Sequence, residues 1–470
     1  MEAGQGRMAQ AARLRALRSL PRSFEGLLAS IGVVLTSNLV VALLTFGTFA
    51  LTTRALSLDQ LGILVLIEAY GRVFDQALRL EPTQALIRMA MPHRDDPHAP
   101  PFRRLVRFGF LLDGFGSLFS AGAALACLPL LGGWFGFDPQ TQKLAALYCL
   151  TLFLPAPMTA NALFRLFGRF GLYSRVSVLT VALRLAATVA LYAAGAGFTA
   201  FVLLLCADSC ISRLAPTIRC WTLLRARAGT GILREPLAGL RQEHPGLWRF
   251  VLASNLNVLA RNSTRQFDVA ALGGFVSPAE LSLYVLAKRC AMLVIRLGTP
   301  IQLVVYPRMC ELVAKDRVTQ LAHFVWVFVA ALLGMFACGL AIAALVGQPL
   351  VAWVFGPQYV AAIPNILVQL AGASLFLTGK VLASALQAVH RVGQLLTVSI
   401  VTAAVFFVPI PLLVPHHGVM AASWLGLAVG VVWLTACAWF FARALAAMRP
   451  DPGAAGTDGA ELHIAESSGT

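Results

Sequence analysis

Apolar residues run through this chain in stretches of about 20, the length a helix needs to cross the hydrocarbon core of a bilayer. Twelve such stretches are predicted, near 31–51, 61–89, 105–131, 143–164, 172–194, 197–218, 249–273, 281–306, 320–346, 362–388, 393–414 and 418–445. Those near 61–89 and 249–273 carry charges and are the weakest. The segments between stretches are short and rich in Gly and Pro, among them LGGWFGFDPQ, AAGAGF, GGFVSP and VPHHG, and none is long enough for a soluble catalytic domain. Pro82, Pro155, Pro157, Pro300 and Pro307 lie in or near the stretches. They predict kinks, which serve either as hinges or as fixed bends that pack neighbouring helices.

Composition agrees with the pattern. Of 470 residues, 58% are apolar and 12% charged, against about 25% charged in an average soluble protein, and the mean hydropathy is +0.77. A soluble fold could not hide so much apolar surface. The class is therefore an all-α polytopic membrane protein. A large soluble enzyme, a disordered chain and a secreted disulfide scaffold are disfavoured. The nine cysteines form no CxxC pair, and Cys127, Cys149, Cys338 and Cys437 sit in apolar runs, where cysteine acts as a small hydrophobe. His416 and His417 have no carboxylate near them in sequence, so no metal site and no cofactor is implied.

The net charge of +16 is explained by where the basic residues fall. With the N-terminus placed in the cytoplasm, the inward segments hold 25 of the 37 Lys and Arg, while the outward turns hold only Arg54 and Lys143. This is the positive-inside bias, and a change in span count would destroy it. Twelve spans with both termini cytoplasmic are expected, in a plasma (bacterial inner) membrane, and no nucleic-acid partner is expected. The arginines from Arg7 to Arg22 precede a long span without a small-residue cleavage site, so they read as a retained basic arm, suited to anionic lipid.

The segment 221–245 is the longest polar inward one and divides the spans six and six. The expected organisation is a basic arm at 1–27, a first six-helix bundle at 28–220, a cytoplasmic linker at 221–245, a second bundle at 246–447 and a Gly/Ala-rich disordered tail at 448–470. The halves echo each other: SNL at Ser37–Leu39 recurs at Ser254–Leu256, QLGILVL resembles ELSLYVL, and Arg88-Met89 matches Arg308-Met309, all at offsets near 220. Transporters often carry such repeats, with substrate near the repeat interface.

NLVVALLTFGTFALTTRALSLDQLGILVLIEAYGRVFDQALRLEPTQALIRM resembles the opening hairpin of polysaccharide transporters of the multidrug/oligosaccharidyl-lipid/polysaccharide (MOP) superfamily. ANALFRLFGRFGLYSRVSVLTVALRLAATVALY is similar to the fourth and fifth helices of that family, and LSLYVLAKR with PIQLVVYPRM to the eighth. The resemblance covers about 28–445. It implies two facing six-helix bundles, alternately open to each side, and a flippase for polyprenyl-diphosphate-linked oligosaccharides used for O-antigen, capsule or exopolysaccharide. Polymerase and export components would be its partners.

Ionisable residues inside spans are costly and default to functional candidates. Glu68, Arg72, Asp75 and Arg79 fall within about 60° of arc on the second span. Asn257, Arg261, Arg265 and Asp268 repeat the arrangement on the seventh, and Lys288, Arg289, Arg296 and Lys380 add to it. These groups either face a wet central cavity or pair to staple the helices together. For a lipid-linked sugar, Arg72, Arg79, Asn257, Arg261, Arg265, Lys288, Arg296 and Lys380 are the candidate diphosphate and sugar ligands, because arginine holds phosphate through charge-assisted, bidentate contacts. Glu68, Asp75 and Asp268 are candidate proton or sodium sites. Outward movement of an anion is already downhill by about 2.3 kcal/mol per charge per 100 mV, so ion coupling is not required. No GxxxxGK[ST] loop occurs to take ATP.

Three other readings stand beside this one. A membrane glycosyltransferase or ligase would need catalytic groups at the outer surface, where the turns are short and nearly uncharged. Asp95-Asp96 sits in a short inward loop and reads as a solvated turn. A cation-coupled multidrug antiporter of the same superfamily would favour an acidic cavity. A lipid-linked peptidoglycan precursor flippase would usually carry fourteen spans.

Overall fold

The computed structural model describes the backbone of residues 22–296 and 298–448, with side chains for all of these except 22–31, 33–34, 257–258, 260–266, 299–301, 303–304 and 392. Residues 1–21 of the expected basic arm and nearly all of the expected tail lie outside the described residues; 22–27 begin the first helix. Every one of the twelve predicted stretches is helical. Six are covered by α1 (Arg22–Ala55), α4 (Pro100–Trp134), α7 (Phe170–Ala193), α8 (Phe198–Ala228), α13 (Val318–Phe355) and α14 (Ile363–Ala388). A seventh belongs to α16 (Ile410–Met448), and these seven are long and apolar enough to cross a membrane. The stretch near 393–414 is the shorter α15 (Val392–Phe407) followed by the start of α16.

Three of the remaining four stretches are broken in two. The second is α2 (Leu58–Leu78) and α3 (Thr83–Ala90); the fourth is α5 (Pro139–Thr151) and α6 (Met158–Leu166); the seventh is α9 (Leu247–Gln266) and α10 (Asp268–Gly273). The eighth is α11 (Pro278–Arg296) and α12 (Gly298–Ala314), on either side of residue 297, which lies outside the described residues. Pro82 stands immediately before α3, and Pro155 and Pro157 lie in the 152–157 gap. Proline removes a backbone donor and clashes with the preceding turn, so the chain leaves the helix there. Pro307 stays inside α12. The turn expected at VPHHG is instead a kink within α16 at Gly418, whose φ of 59° favours glycine and whose Cα faces Glu280.

Among the described residues the chain forms two compact units, one of residues up to 56 with 70–257, the other of 57–69 with 258 onward. Helix α2 thus contributes its first half to one unit and its second half to the other.

In the first unit α1 packs along α7 and α7 along α8. One end is closed by an apolar cluster of Leu86 and Ala90 from α3, Phe102, Leu105 and Val106 from α4, Leu163 and Phe164 from α6, Leu224 from α8, and Leu247 and Val251 from α9. Residues 229–246, with 229–245 expected as part of a linker, fold onto this cluster as a strap. Ile232 and Leu240 are buried in it. Three successive arginines of α4 hold the strap from the side. Arg103 reaches Glu235 at 3.1 Å and donates to Thr230 O, Arg104 meets Glu243 at 2.5 Å, and Arg107 donates to Glu235 O. His244 rests in the strap with its ring edge-on to His93, and burial holds its imidazole below the ordinary value.

In the second unit the closest packing joins α14 and α16. A Cβ on Gly372 would lie 2.9 Å from Gly426 O, and one on Gly430 would overlap the Gly372 carbonyl. Between helices with no hydrophobic drive from water, such glycine contacts let the backbones approach and gain dispersion.

Candidate functional site

The charged groups predicted on the second span divide between the units: Glu68 belongs to the second, Arg72, Asp75 and Arg79 to the first.

In the first unit, Asp75 is buried and accepts from Arg79 Nη1 at 2.8 Å, one turn on. Arg213 of α8, which sequence spacing did not single out, approaches the same carboxylate oxygen at 2.9 Å and donates from Nη1 to Leu154 O at 3.1 Å. It therefore ties the ion pair to the non-helical 152–157 segment. That segment is served by two further side chains, both from α4. Ser117 Oγ accepts the Ala156 N–H at 3.1 Å, and Asp113 Oδ2 accepts the Thr159 N–H at 2.8 Å. The break before α3 is bonded in the same way, the Glu81 N–H donating to Asn255 Oδ1 at 2.8 Å. Unwound backbone at membrane depth persists only where such partners exist. Arg72 is exposed on α2, and Arg184 of α7 pairs with Asp208 of α8 at 2.9 Å.

In the second unit, Asp268 opens α10. Its Oδ1 accepts Lys288 Nζ at 2.6 Å and the Val269 N–H at 2.8 Å, while Oδ2 accepts the Tyr284 hydroxyl at 2.9 Å. A buried polar chain continues from Tyr284. Gln369 Nε2 donates to Tyr284 O at 3.4 Å and to Ser423 Oγ at 3.1 Å, and Ser423 donates to Asn365 Oδ1 at 2.7 Å. Glu68 lies 3.9 Å from Arg289. Arg296 is exposed in the last turn of α11, and Lys380 is half-buried with its ammonium 5.8 Å from the Phe376 ring. The backbone of α9 carries Asn257, Arg261 and Arg265, whose side chains lie outside the described residues.

Arg79 and Lys288 pair with carboxylates, and Arg72 and Arg296 are exposed. Sequence reading missed Arg213, Asp208, Tyr284, Asn365, Gln369 and Ser423. Asp208 and Arg213 carried a signal, being charged residues in a predicted span or at its rim; the uncharged four carried none. No group of three or more His, Cys, Asp or Glu gathers among the described residues.

Comparison with known proteins adds four findings. A profile of the family described as "Polysaccharide biosynthesis protein" matches residues 106–364, more than half of the chain. The chain is 25% identical over 331 residues to Inner membrane protein YghQ of Escherichia coli strain K12, covering 70% of this chain and 92% of that one. Among solved structures it is similar to an inward-facing multidrug resistance MATE family transporter of the MOP superfamily, with a TM-score of 0.66, 15% identity, and coverage of 87% and 94% of the two chains. It is also similar to the lipid II flippase MurJ in an inward closed conformation, with a TM-score of 0.63, 9% identity, and coverage of 88% and 89%. At these identities the two structural likenesses establish a MOP-type fold.

Proposed function

Because the chain belongs to the polysaccharide biosynthesis protein family, we propose that it translocates a polyprenyl-diphosphate-linked oligosaccharide from the cytoplasmic to the outer leaflet of the bacterial inner membrane. The repeat unit would then feed exopolysaccharide, O-antigen or capsule assembly. The relative named an inner membrane protein supports the location.

The observation that carries the reading is the presence of exposed cations within predicted spans, Arg72 on α2 and Arg296 on α11. A cation facing hydrocarbon is expensive, so these groups serve a wet passage or an anion. A diphosphate headgroup is such an anion, and guanidinium is its preferred partner. The glycan needs the same passage, because each hydroxyl stranded in hydrocarbon costs several kcal/mol. The apolar tail needs none and stays in lipid. Alternating access of a cationic cavity moves the head while the tail slides alongside. Arg79, Lys288, Lys380 and the side chains of Asn257, Arg261 and Arg265 complete the proposed ligand set. Glu68, Asp75 and Asp268 remain the proposed ion sites. Each has a cation beside it, so a transported ion would have to compete with Arg289, with Arg79 and Arg213, or with Lys288.

The test is reconstitution. Purified protein in proteoliposomes, given a lipid-linked oligosaccharide in one leaflet, should raise the rate at which the sugar becomes accessible to a lectin on the other side. The Arg72→Ala/Arg296→Ala variant should lose about tenfold or more of that rate. No flipping by the wild-type protein, or an unchanged rate in the variant, refutes the reading.

A further inference from the structure

The first unit holds a second polar locus, on α7 and α8, that the diphosphate ligands do not use. Arg184 Nη1 and Asp208 Oδ2 are 2.9 Å apart, with side chains 27% and 20% exposed. Both residues lie well inside helices long and apolar enough to cross the membrane. At 100° per residue, Ser174, Ser177, Thr180, Arg184 and Thr188 follow one side of α7. Leu179, Leu183, Ala186 and Ala190 follow a side roughly opposite, and all four are exposed. The apolar side is the one that lipid can cover. The charged side faces into the unit, where α1 packs on α7 and Ser37 donates to Ser174 at 2.9 Å. An ion pair left partly open on this side of a spanning helix is costly against hydrocarbon and suits a polar cavity.

The local chemistry selects the ligand. An anion suits the cationic groups assigned above, but here Asp208 offsets Arg184 and the locus is neutral overall. Hydroxyls border it. Half-buried Thr180 donates to a carbonyl of its own helix, which leaves its oxygen lone pairs able to accept. Ser209, beside Asp208, accepts from Thr151 at 2.8 Å. Neighbouring hydroxyls on a sugar ring offer donors to a carboxylate and acceptors to a guanidinium side by side, and both side-chain groups are planar and bidentate. We propose that Arg184 and Asp208 form a sugar-hydroxyl subsite that reads the glycan of the cargo, an inference that rests on the lipid-linked oligosaccharide reading above.

The experiment separates a ligand role from a structural one. The probes are the lipid-linked repeat unit that accumulates in a strain lacking the gene, and the same polyprenyl diphosphate stripped of sugar. Binding to the full-length purified protein is followed by tryptophan fluorescence in detergent. Arg184→Ala and Asp208→Ala should each weaken binding of the glycosylated lipid about tenfold and leave binding of the sugar-free lipid within about twofold. The exchanged variant Arg184→Asp/Asp208→Arg keeps an ion pair, so it should recover the wild-type unfolding temperature without recovering glycan binding. Wild-type affinity in the exchanged variant, or equal losses for the two lipids, overturns the subsite. Wild-type protein that binds neither lipid overturns the cargo reading and the subsite with it; wild-type binding with indifferent alanine variants overturns the subsite alone.

Discussion

Replacing Asp268 by alanine removes three acceptor contacts at once, from Lys288 Nζ, the Tyr284 hydroxyl and the Val269 N–H. The Asp268 side chain is 4% exposed and that of Lys288 21%. Deleting one partner of a buried pair costs about 3–5 kcal/mol, because the other charge stays behind unpaired. The ammonium keeps some solvent, so the lower end applies, about 3 kcal/mol. Lys288→Met leaves a carboxylate with two neutral donors, at about 2–3 kcal/mol. If both losses come from the same pair, the double variant is more stable than their sum by about 2 kcal/mol. Unfolding of all four proteins in one detergent, followed by tryptophan fluorescence, measures the cycle. Additivity within about 0.5 kcal/mol refutes the pair as an energetic unit. By these figures the double variant is about as stable as Asp268→Ala alone, so a loss of translocation beyond that of Asp268→Ala reports the use of Lys288 in the proposed site; wild-type translocation would remove Lys288 from the ligand set.

Other expectations follow from single contacts. Arg213→Met should lower stability by about 2–4 kcal/mol, because it leaves Leu154 O without its donor and Asp75 with one guanidinium fewer; an unchanged unfolding midpoint contradicts this. The neutral His244 imidazole is favoured in the folded strap by burial, with Glu243 opposing the shift and His93 reinforcing it. Its contribution is complete above the ordinary value of 6.5 and is lost as pH falls through the lowered folded value. Between about pH 7.5 and 5 the wild-type midpoint should therefore fall more than that of His244→Gln, and parallel falls would exclude the effect. Gly372→Ala should cost about 1–3 kcal/mol by pushing α14 from α16. Gly426→Ala, whose Cβ meets nothing within 4 Å, should be neutral or stabilising, and equal behaviour of the two would refute the close approach.

The spans were legible because a bilayer imposes a length and a hydrophobicity that any sequence must meet. Pro82, Pro155 and Pro157 marked where spans break, since proline acts locally. Pro307 looked the same in sequence yet stays within a helix. The Asp75–Arg79 pair was readable from i, i+4 spacing. Arg213 was not, although it touches the same carboxylate, because it arrives from a helix far along the chain. The same holds for Asp208. Tyr284, Gln369, Ser423 and Asn365 were invisible for another reason: single uncharged polar residues in apolar helices look like tolerated substitutions until they bond in series.

The strap at 229–246 changes what counts as half of this protein. It is the obvious place to cut the gene in two, yet cutting there severs a folded piece from its own unit. The chain actually passes from one unit to the other at 56–57, again within α2 and again within α9. No fragment can carry either unit complete without a break inside a helix, so separately expressed halves are a poor route to isolated domains. A fluorescent tag or protease site placed in the strap would likewise disturb a packed element, not decorate a tether.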